Sequence, residues 1–322
     1  MKYRLCDGEK MLDTIIIGSG PAGITAAIYA SRANMSLKVF EKEYEGSGQI
    51  ANTARVDNYP GLYGTGGYEL GELFRQHALS CGVEFCEVEV NKIVQNKDLS
   101  WNVITNDGTM HNAKTVIYCA GAAHRKLSIP GEKEFYGHGV SNCALCDGSF
   151  YKNQDVAVIG GGNSAIETAV YLADICDKVY LIHRRDEFRA EPVLIERMRR
   201  YDNIIPVLCV TPMHITGDKR VNGLRLSDGS ELAVQGVFIE IGMKPNTEAV
   251  EHLGILDSLN YIQASENCCT KLQGLYAAGD VRTKKLRQLV TAVSDGANAA
   301  IEVSDYIKIG IGMSGGEIIT RR

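Results

Sequence analysis

Short apolar runs bounded by glycine recur along this chain, and most are too short to be helices. Thr14-Ile15-Ile16-Ile17 is the first, of the length and character of a strand buried on both faces of a parallel sheet. It leads into Gly18-Ser19-Gly20-Pro21-Ala22-Gly23, after which Ile24, Ala27 and Ile28 recur at helical spacing and predict a helix with one apolar face. Leu37-Lys38-Val39-Phe40 is a second strand, ending at Glu41. Residues 42–80 are rich in glycine, and Gly46-Ser47-Gly48-Gln49 and Asn58-Tyr59-Pro60-Gly61 are predicted to be loops or turns, in a connection long enough to be a binding loop. From Val83 to Ala120 three β-type runs follow. They include a turn at Asn106-Asp107-Gly108 and a last strand Thr115-Val116-Ile117-Tyr118-Cys119, which ends at Gly121.

The pattern then repeats. Asp155-Val156-Ala157-Val158-Ile159 runs into Gly160-Gly161-Gly162-Asn163-Ser164-Ala165, with Gly160 lying 142 residues after Gly18. Ile166, Ala169, Val170 and Ala173 form a helical stripe, and Lys178-Val179-Tyr180-Leu181-Ile182 is the following strand. A turn at Ser227-Asp228-Gly229-Ser230 and the run Val237-Phe238-Ile239-Glu240-Ile241-Gly242 mirror the earlier turn and strand. The spans Asp107 to Gly121 and Asp228 to Gly242 are both 14 residues. The expected fold is therefore α/β, with two Rossmann-like, three-layer dinucleotide-binding domains, each carrying an inserted antiparallel β-meander. Leu275-Tyr276-Ala277-Ala278-Gly279-Asp280 is a further strand ending in a Gly-Asp pair, and Arg287-Gln288 open a helix expected to run to about Tyr306. Gly310 to Gly316 is expected to be a flexible tail, and residues 1–13 carry no interpretable signal.

The glycine runs have a chemical reading. Glycines let the backbone approach a pyrophosphate at a helix N-terminus, and an acid at the end of the second strand accepts hydrogen bonds from an adenosine ribose. Glu41, 23 residues past Gly18, completes that fingerprint in the first unit. In the second unit the corresponding position holds His183-Arg184-Arg185, with Arg189 four residues after Arg185. Arginines there form charge-assisted, often bidentate bonds to a 2′-phosphate, whereas a carboxylate would repel one. At roughly 1.5 to 3 kcal/mol per charged hydrogen bond, two arginines favour NADPH over NADH by a few powers of ten. The alternative reading of this run is a solvated basic face.

Composition narrows the classes. A chain of 322 residues exceeds the size at which one core stops growing, so two domains are expected. With 45% hydrophobic and 23% charged residues it has the balance of an ordinary soluble protein, and its net charge of −5 argues against nucleic acid or an anionic membrane as partner. Neither a membrane-length apolar run nor the apolar region of a signal peptide is evident, so the expected location is the cytoplasm. Of ten cysteines, eight are scattered, several through apolar stretches, and are expected to be buried thiols acting as small hydrophobes. The other two form Cys143-Ala144-Leu145-Cys146-Asp147-Gly148, a C-x-x-C among βαβ patterns, which reads as a redox pair with an acid able to handle the proton. Half a zinc site is the rival, but no second C-x-x-C or H-x₃₋₅-H exists and adjacent Cys268-Cys269 are poorly placed to chelate, so no metal is expected. His138, five residues before Cys143, is a weaker acid–base candidate than Asp147.

Two nucleotide fingerprints with a cysteine pair placed just before the second resemble the low-molecular-weight thioredoxin reductases over nearly the whole chain. The matching residues are Gly18, Ser19, Gly20, Pro21, Ala22, Gly23 and Glu41, then Cys143 to Gly148, and Gly160, Gly162, Asn163, Ser164 and Ala165 with His183, Arg184, Arg185, Phe188, Arg189 and Ala190. Ala277 to Asp280 with Arg287-Gln288 complete them. The resemblance implies FAD held by the first set together with Gly48, Gln49, Asn58, Ala120, Gly121, Gly279, Asp280, Arg287 and Gln288, and NADPH held by the second. It implies a discontinuous FAD domain of residues 1–122 and 245–322, an NADPH and disulfide domain of residues 123–244 that rotates about its joints, and a homodimer. It further implies a relay from NADPH through the flavin to a Cys143–Cys146 disulfide and on to thioredoxin, with Cys146 facing the flavin, Cys143 attacking the substrate and Asp147 as acid and base. Leu145 replaces the threonine common between the cysteines in this family. A ferredoxin-dependent relative, a flavin dithiol oxidase and a non-enzymatic redox sensor are the alternatives; the arginine motif, the Asp-Gly after the second cysteine and the retention of every site count against them in turn.

Overall fold

The computed structural model describes residues 4–5, 10–42, 48–53 and 55–312, with residues 4–5, 52 and 310–312 described by their backbone alone. The chain divides into two compact units, Met1–Ala123 with Pro245–Arg322, and His124–Lys244.

In the first unit a sheet runs in the order Phe85–Glu87, Leu37–Glu41, Leu12–Ile17, Thr109–Tyr118, Trp101–Thr105, Val90–Gln95, and Leu275–Ala277 also pairs with Thr109–Tyr118. Strand side chains alternate between faces, so Ile15 and Ile17 enter one core layer with Phe40, Trp101 and Val250, while Ile16 enters the other with Ile24, Ala27 and Val303. Both faces are covered, which is why the strand is a continuous apolar run. Each fully buried isoleucine contributes about 2 kcal/mol of transfer free energy. Helix Pro21–Arg32 starts with proline at its first turn and packs against helix Leu289–Gly312. Gly296 allows that contact, since a Cβ there would overlap Ala22 O.

Two elements of this unit differ from the expectation, whereas the expected antiparallel meander is present as Val90–Gln95, Trp101–Thr105 and Thr109–Tyr118. Its last strand, Thr109–Tyr118, pairs antiparallel with Trp101–Thr105 through its first half and parallel with Leu12–Ile17 through its second. Its first half is of mixed polarity and half-buried, so the apolar run reveals only the second. Helix Gly67–Ser80 occupies part of the stretch expected to be loop. Its glycines conceal a stripe of Leu70, Phe74 and Ala78, and Gly67 is a packing requirement, because a Cβ there would overlap Ile50 O. Helix Leu289–Gly312 continues past Tyr306, so Gly310 to Gly312 are helical rather than tail; from Met313 onward the expected tail lies outside the described residues, as do Gly46 and Ser47 of the expected loop.

The second unit is built on a parallel sheet in the order Ile204–Leu208, Lys178–His183, Asp155–Ile159, Gly236–Ile239, Val140–Ser141. Here Val156 and Val158 pack on helix Asn163–Ala173, and Ala157 and Ile159 pack on the other side against Ile215 and Leu224. Those two belong to the meander Pro212–Gly217, Val221–Leu226, Glu231–Leu232, which in this unit is a sheet of its own.

The expectation of buried thiols holds for Cys119, Cys176 and Cys268 only. Cys81, Cys86 and Cys269 are half-buried and Cys209 is exposed, and Cys6 lies outside the described residues. Cys81, at a helix C-cap, packs on the edge of the core layer that holds Ile16 and Ala78, and Cys209 stands in the bend between strands Ile204–Leu208 and Pro212–Gly217. Among the described residues no helix is long and apolar enough to cross a membrane.

Candidate redox site and nucleotide cradles

Strand Val140–Ser141 delivers the chain to Cys143, which is the N-cap of the one-turn helix Ala144–Asp147. A single helical turn brings the first and fourth residues together. Cys143 and Cys146 form a disulfide with their Cα atoms 5.3 Å apart, and Cys146 N donates to Cys143 Sγ at 3.2 Å. Asp147 closes the turn, its N–H donating to Cys143 O at 3.1 Å. Burial pushes the Asp147 carboxyl above the ordinary carboxylate range, opposed by a hydrogen bond that Ser141 Oγ donates to Oδ2 at 2.6 Å. Both cysteines are half-buried, while Leu145 between them is 50% exposed and presents an apolar surface beside the disulfide. His138 is exposed in the turn before the strand. Among the described residues no three metal-ligating side chains come together.

The first cradle lies wholly within the first unit. Gly18 adopts φ +104°, and a Cβ on it would overlap Cys119 O; one on Gly23 would overlap Gly18 O. Gly20 caps helix Pro21–Arg32 without a side-chain hydrogen bond, and the first turn holds no acid, so its amides are left for an anion. Gly48, at φ +82°, lies against Gly20, and Gly279 against Ala22, which draws three separated segments to one helix end. Asn58 Nδ2 donates to Gln288 Oε1 at 3.0 Å, Gln49 Nε2 donates to Ala122 O, and Asn246 Nδ2 donates to Ala120 O at 2.8 Å, next to Gly121. Arg287 stacks over Tyr261 at 4.1 Å and reaches Asp280 O. Asp280 itself is raised by burial against the pull of Lys284 and Arg287, and its Oδ1 is buried with no partner among the described residues. An orphaned buried carboxyl oxygen beside uncapped amides fits the sugar and phosphates of a dinucleotide. Glu41, 4% exposed, is held by Arg75 in a two-point pair at 2.8 and 2.9 Å, and Arg75 lies over Phe85.

The second cradle repeats this plan in the second unit. Gly162 caps helix Asn163–Ala173, again without a side-chain cap or an acid in the first turn. Ala165 is fully buried, Ser164 is exposed, and Asn163 exchanges hydrogen bonds with Glu191 at 2.9 Å each way. A Cβ on Gly160 would overlap Glu240 O. His183 turns inward, 5% exposed, beneath Gly161 and stacked on Phe188; burial, then Arg189, Arg185 and Arg184, keep it below the ordinary histidine range. Arg184, Arg185 and Arg189 are exposed, and Arg189 N donates to Gly161 O at 2.7 Å, which fixes that arginine's backbone to the glycine turn.

Sequence reasoning missed Ser141, Arg75, Asn246 and the buried group around Asp295. Asp295 Oδ2 accepts from Gly279 N, Arg282 and Lys284, and Oδ1 from Arg282, all at 2.8 to 2.9 Å. An acid inside the apolar stretch Leu289–Ala300 is a signal of this kind, since a buried charge requires a partner. Ser141 and Asn246 carry no comparable signal.

Residues 12–296 match the family described as pyridine nucleotide-disulphide oxidoreductases. Thioredoxin reductase of Listeria monocytogenes is 42% identical over 306 residues, covering 93% of this chain and 95% of that protein. Its counterpart in Bacillus subtilis is 42% identical over 309 residues, covering 93% and 96%. The crystal structure of thioredoxin reductase from Streptococcus pyogenes aligns with a TM-score of 0.88 at 41% identity, covering 93% of this chain and 99% of that one. With both glycine turns and the cysteine pair inside the matched span, the chain belongs to the pyridine nucleotide-disulphide oxidoreductases and, within them, to the low-molecular-weight thioredoxin reductases.

Proposed function

We propose that this chain is a thioredoxin-disulfide reductase that holds FAD in a discontinuous domain of residues 1–122 and 245–322 and NADPH in a domain of residues 123–244, acting as a cytoplasmic homodimer. The observation that carries the reading is the Cys143–Cys146 disulfide closed by the half-buried Asp147, in a chain with two uncapped glycine cradles. Gly18 to Gly23, Gly48, Gln49, Asn58, Ala120, Gly121, Gly279, Asp280, Arg287 and Gln288 hold the flavin, with Glu41 on its adenosine ribose. Gly160 to Ala165 hold the second dinucleotide, with Arg184, Arg185 and Arg189 on its 2′-phosphate and His183 supporting the turn from beneath. When bound, NADPH and FAD supply the two electrons that open the disulfide. Cys143, as a thiolate, attacks one sulfur of oxidised thioredoxin, and the other sulfur leaves and takes a proton from Asp147. Cys146 then attacks Cys143, the second thioredoxin sulfur leaves and is protonated, and the Cys143–Cys146 disulfide re-forms.

The test is an anaerobic titration of the oxidised protein with NADPH and, separately, NADH, following the flavin absorbance. NADPH is expected to bleach the flavin and then consume a second equivalent, which disappears when Cys143 and Cys146 are replaced by serine. Bleaching by neither nucleotide would remove the pyridine-nucleotide step from this reading.

A further inference from the structure

We propose that Ser141 is a positioning residue for the disulfide exchange, tying the backbone of Cys143 to the carboxylate of Asp147 and setting the pH at which that acid works. The inference rests on Asp147 being the acid and base of the proposed reaction. Cys143 N donates to Ser141 Oγ at 3.0 Å, and Ser141 Oγ donates to Asp147 Oδ2 at 2.6 Å. A serine hydroxyl has one proton, so accepting from the amide commits that proton to the carboxylate. The distance is that of a charge-assisted O–H···O⁻ bond. Ser141 is buried on strand Val140–Ser141, paired with Phe238 in the parallel sheet, so the hydroxyl is held by a rigid element rather than a loop.

The arrangement has a second state. Cys143 O lies 3.4 Å from Ser141 Oγ, so when Asp147 gains a proton the hydroxyl can turn its own proton to that carbonyl. Charge on the acid is thereby coupled to the backbone of the attacking cysteine. Tyr136 and Tyr151 feel the charge of Asp147: burial raises both phenols first, Asp147 raises them further, and Arg220 opposes the rise on Tyr151. In the reduced enzyme the Cys143 thiolate is a further charge beside this acid, present in every variant compared below. Ser141 is the hydrogen bond opposing the effect of burial on Asp147. Its loss should therefore move the acid further from the ordinary range.

The experiment is the pH profile of kcat/KM for thioredoxin reduction by the holoenzyme, comparing wild type, Ser141→Ala, Ser141→Thr, Asp147→Asn and the Ser141→Ala/Asp147→Asn double variant. Losing one charged hydrogen bond corresponds to a displacement of about one pH unit. The limb assigned to Asp147 is expected to move up by about that amount in Ser141→Ala, to return in Ser141→Thr, and to be absent from both Asp147→Asn proteins. A fall in rate with the limb unmoved in Ser141→Ala would make Ser141 merely structural and overturn the proposal. A limb that survives in Asp147→Asn would instead overturn the role of Asp147, and the two failures are distinguishable.

Discussion

Glu240 shows what burial does to a single residue. It follows the last residue of strand Gly236–Ile239, in a run otherwise apolar, and its partner is the Thr168 hydroxyl, which donates to Oε1 at 3.0 Å, rather than a cation. Burial, with Glu167 adding to it, pushes its carboxyl up to about 7. The unfolded chain releases this proton near the ordinary value of 4.5, so between the two values the native state binds the extra proton. The stability contribution is therefore complete below the unfolded value and is lost as pH rises through about 7. At about 1.4 kcal/mol per unit, ionised Glu240 costs about 3 kcal/mol in alkaline solution. Glu240→Gln keeps the acceptor for Thr168 and removes the charge, so it should raise urea resistance by about 2 to 3 kcal/mol at about pH 8 and leave it nearly unchanged at about pH 4.5. Equal effects at the two pH values would show that the charge is not what burial penalises.

At the scale of elements, helix Leu289–Gly312 does more than cover the sheet: through Asp295 it anchors the Gly279–Asp280 turn after strand Leu275–Ala277. Burial alone would raise the Asp295 carboxyl, but hydrogen bonds from Arg282 and Lys284 outweigh it and hold it below the ordinary range. Its contribution is thus present at neutral pH and lost as pH falls through that lowered value. Removing the acid leaves Arg282 and Lys284 buried without their anion, and breaking such a pair from one side costs about 3 to 5 kcal/mol. Asp295→Asn should lose about that much in chemical unfolding of the flavin-free protein and should release flavin faster, because Gly279 N loses its charged acceptor. Unchanged stability would mean that the three-way pair offsets only its own desolvation. These elements differ in how openly the sequence announces them. Residues 14–17 and 156–159 are buried on both faces and stand beside glycine turns, so pattern alone locates these parts of their strands, while Leu12 and Asp13, half-buried, carry no such signal. Helix Gly67–Ser80 is disguised because close approach to Ile50 demands glycine at its start, and the first half of Thr109–Tyr118 because it is half-buried and of mixed polarity.

Over the whole molecule the repeat was legible because the same physical requirements, a close helix-to-strand approach and an uncapped helix end, impose the same glycines twice. The contacts that complete each site were not, since Arg75 on Glu41, Asn246 on Ala120 and Asp295 on Gly279 join segments 34, 126 and 16 residues apart. What separates the two copies is the group after the second strand: an acid neutralised by Arg75 in one, and the exposed arginines 184, 185 and 189 in the other. The first copy offers acceptors for ribose hydroxyls, whereas the second offers donors for a phosphate. Replacing Arg184 and Arg185 by alanine should therefore weaken NADPH by about tenfold or more per arginine, the lower end of a charged hydrogen bond, while leaving NADH nearly unaffected. Because these side chains are exposed, the proposed preference for NADPH should also shrink as salt rises. Steady-state KM for both nucleotides, at low and high ionic strength, reads each effect. An equal loss for NADH and NADPH would mean that the arginines form a basic face with no part in discrimination, and the distinction between the two cradles would then have to be sought in the glycine turns themselves.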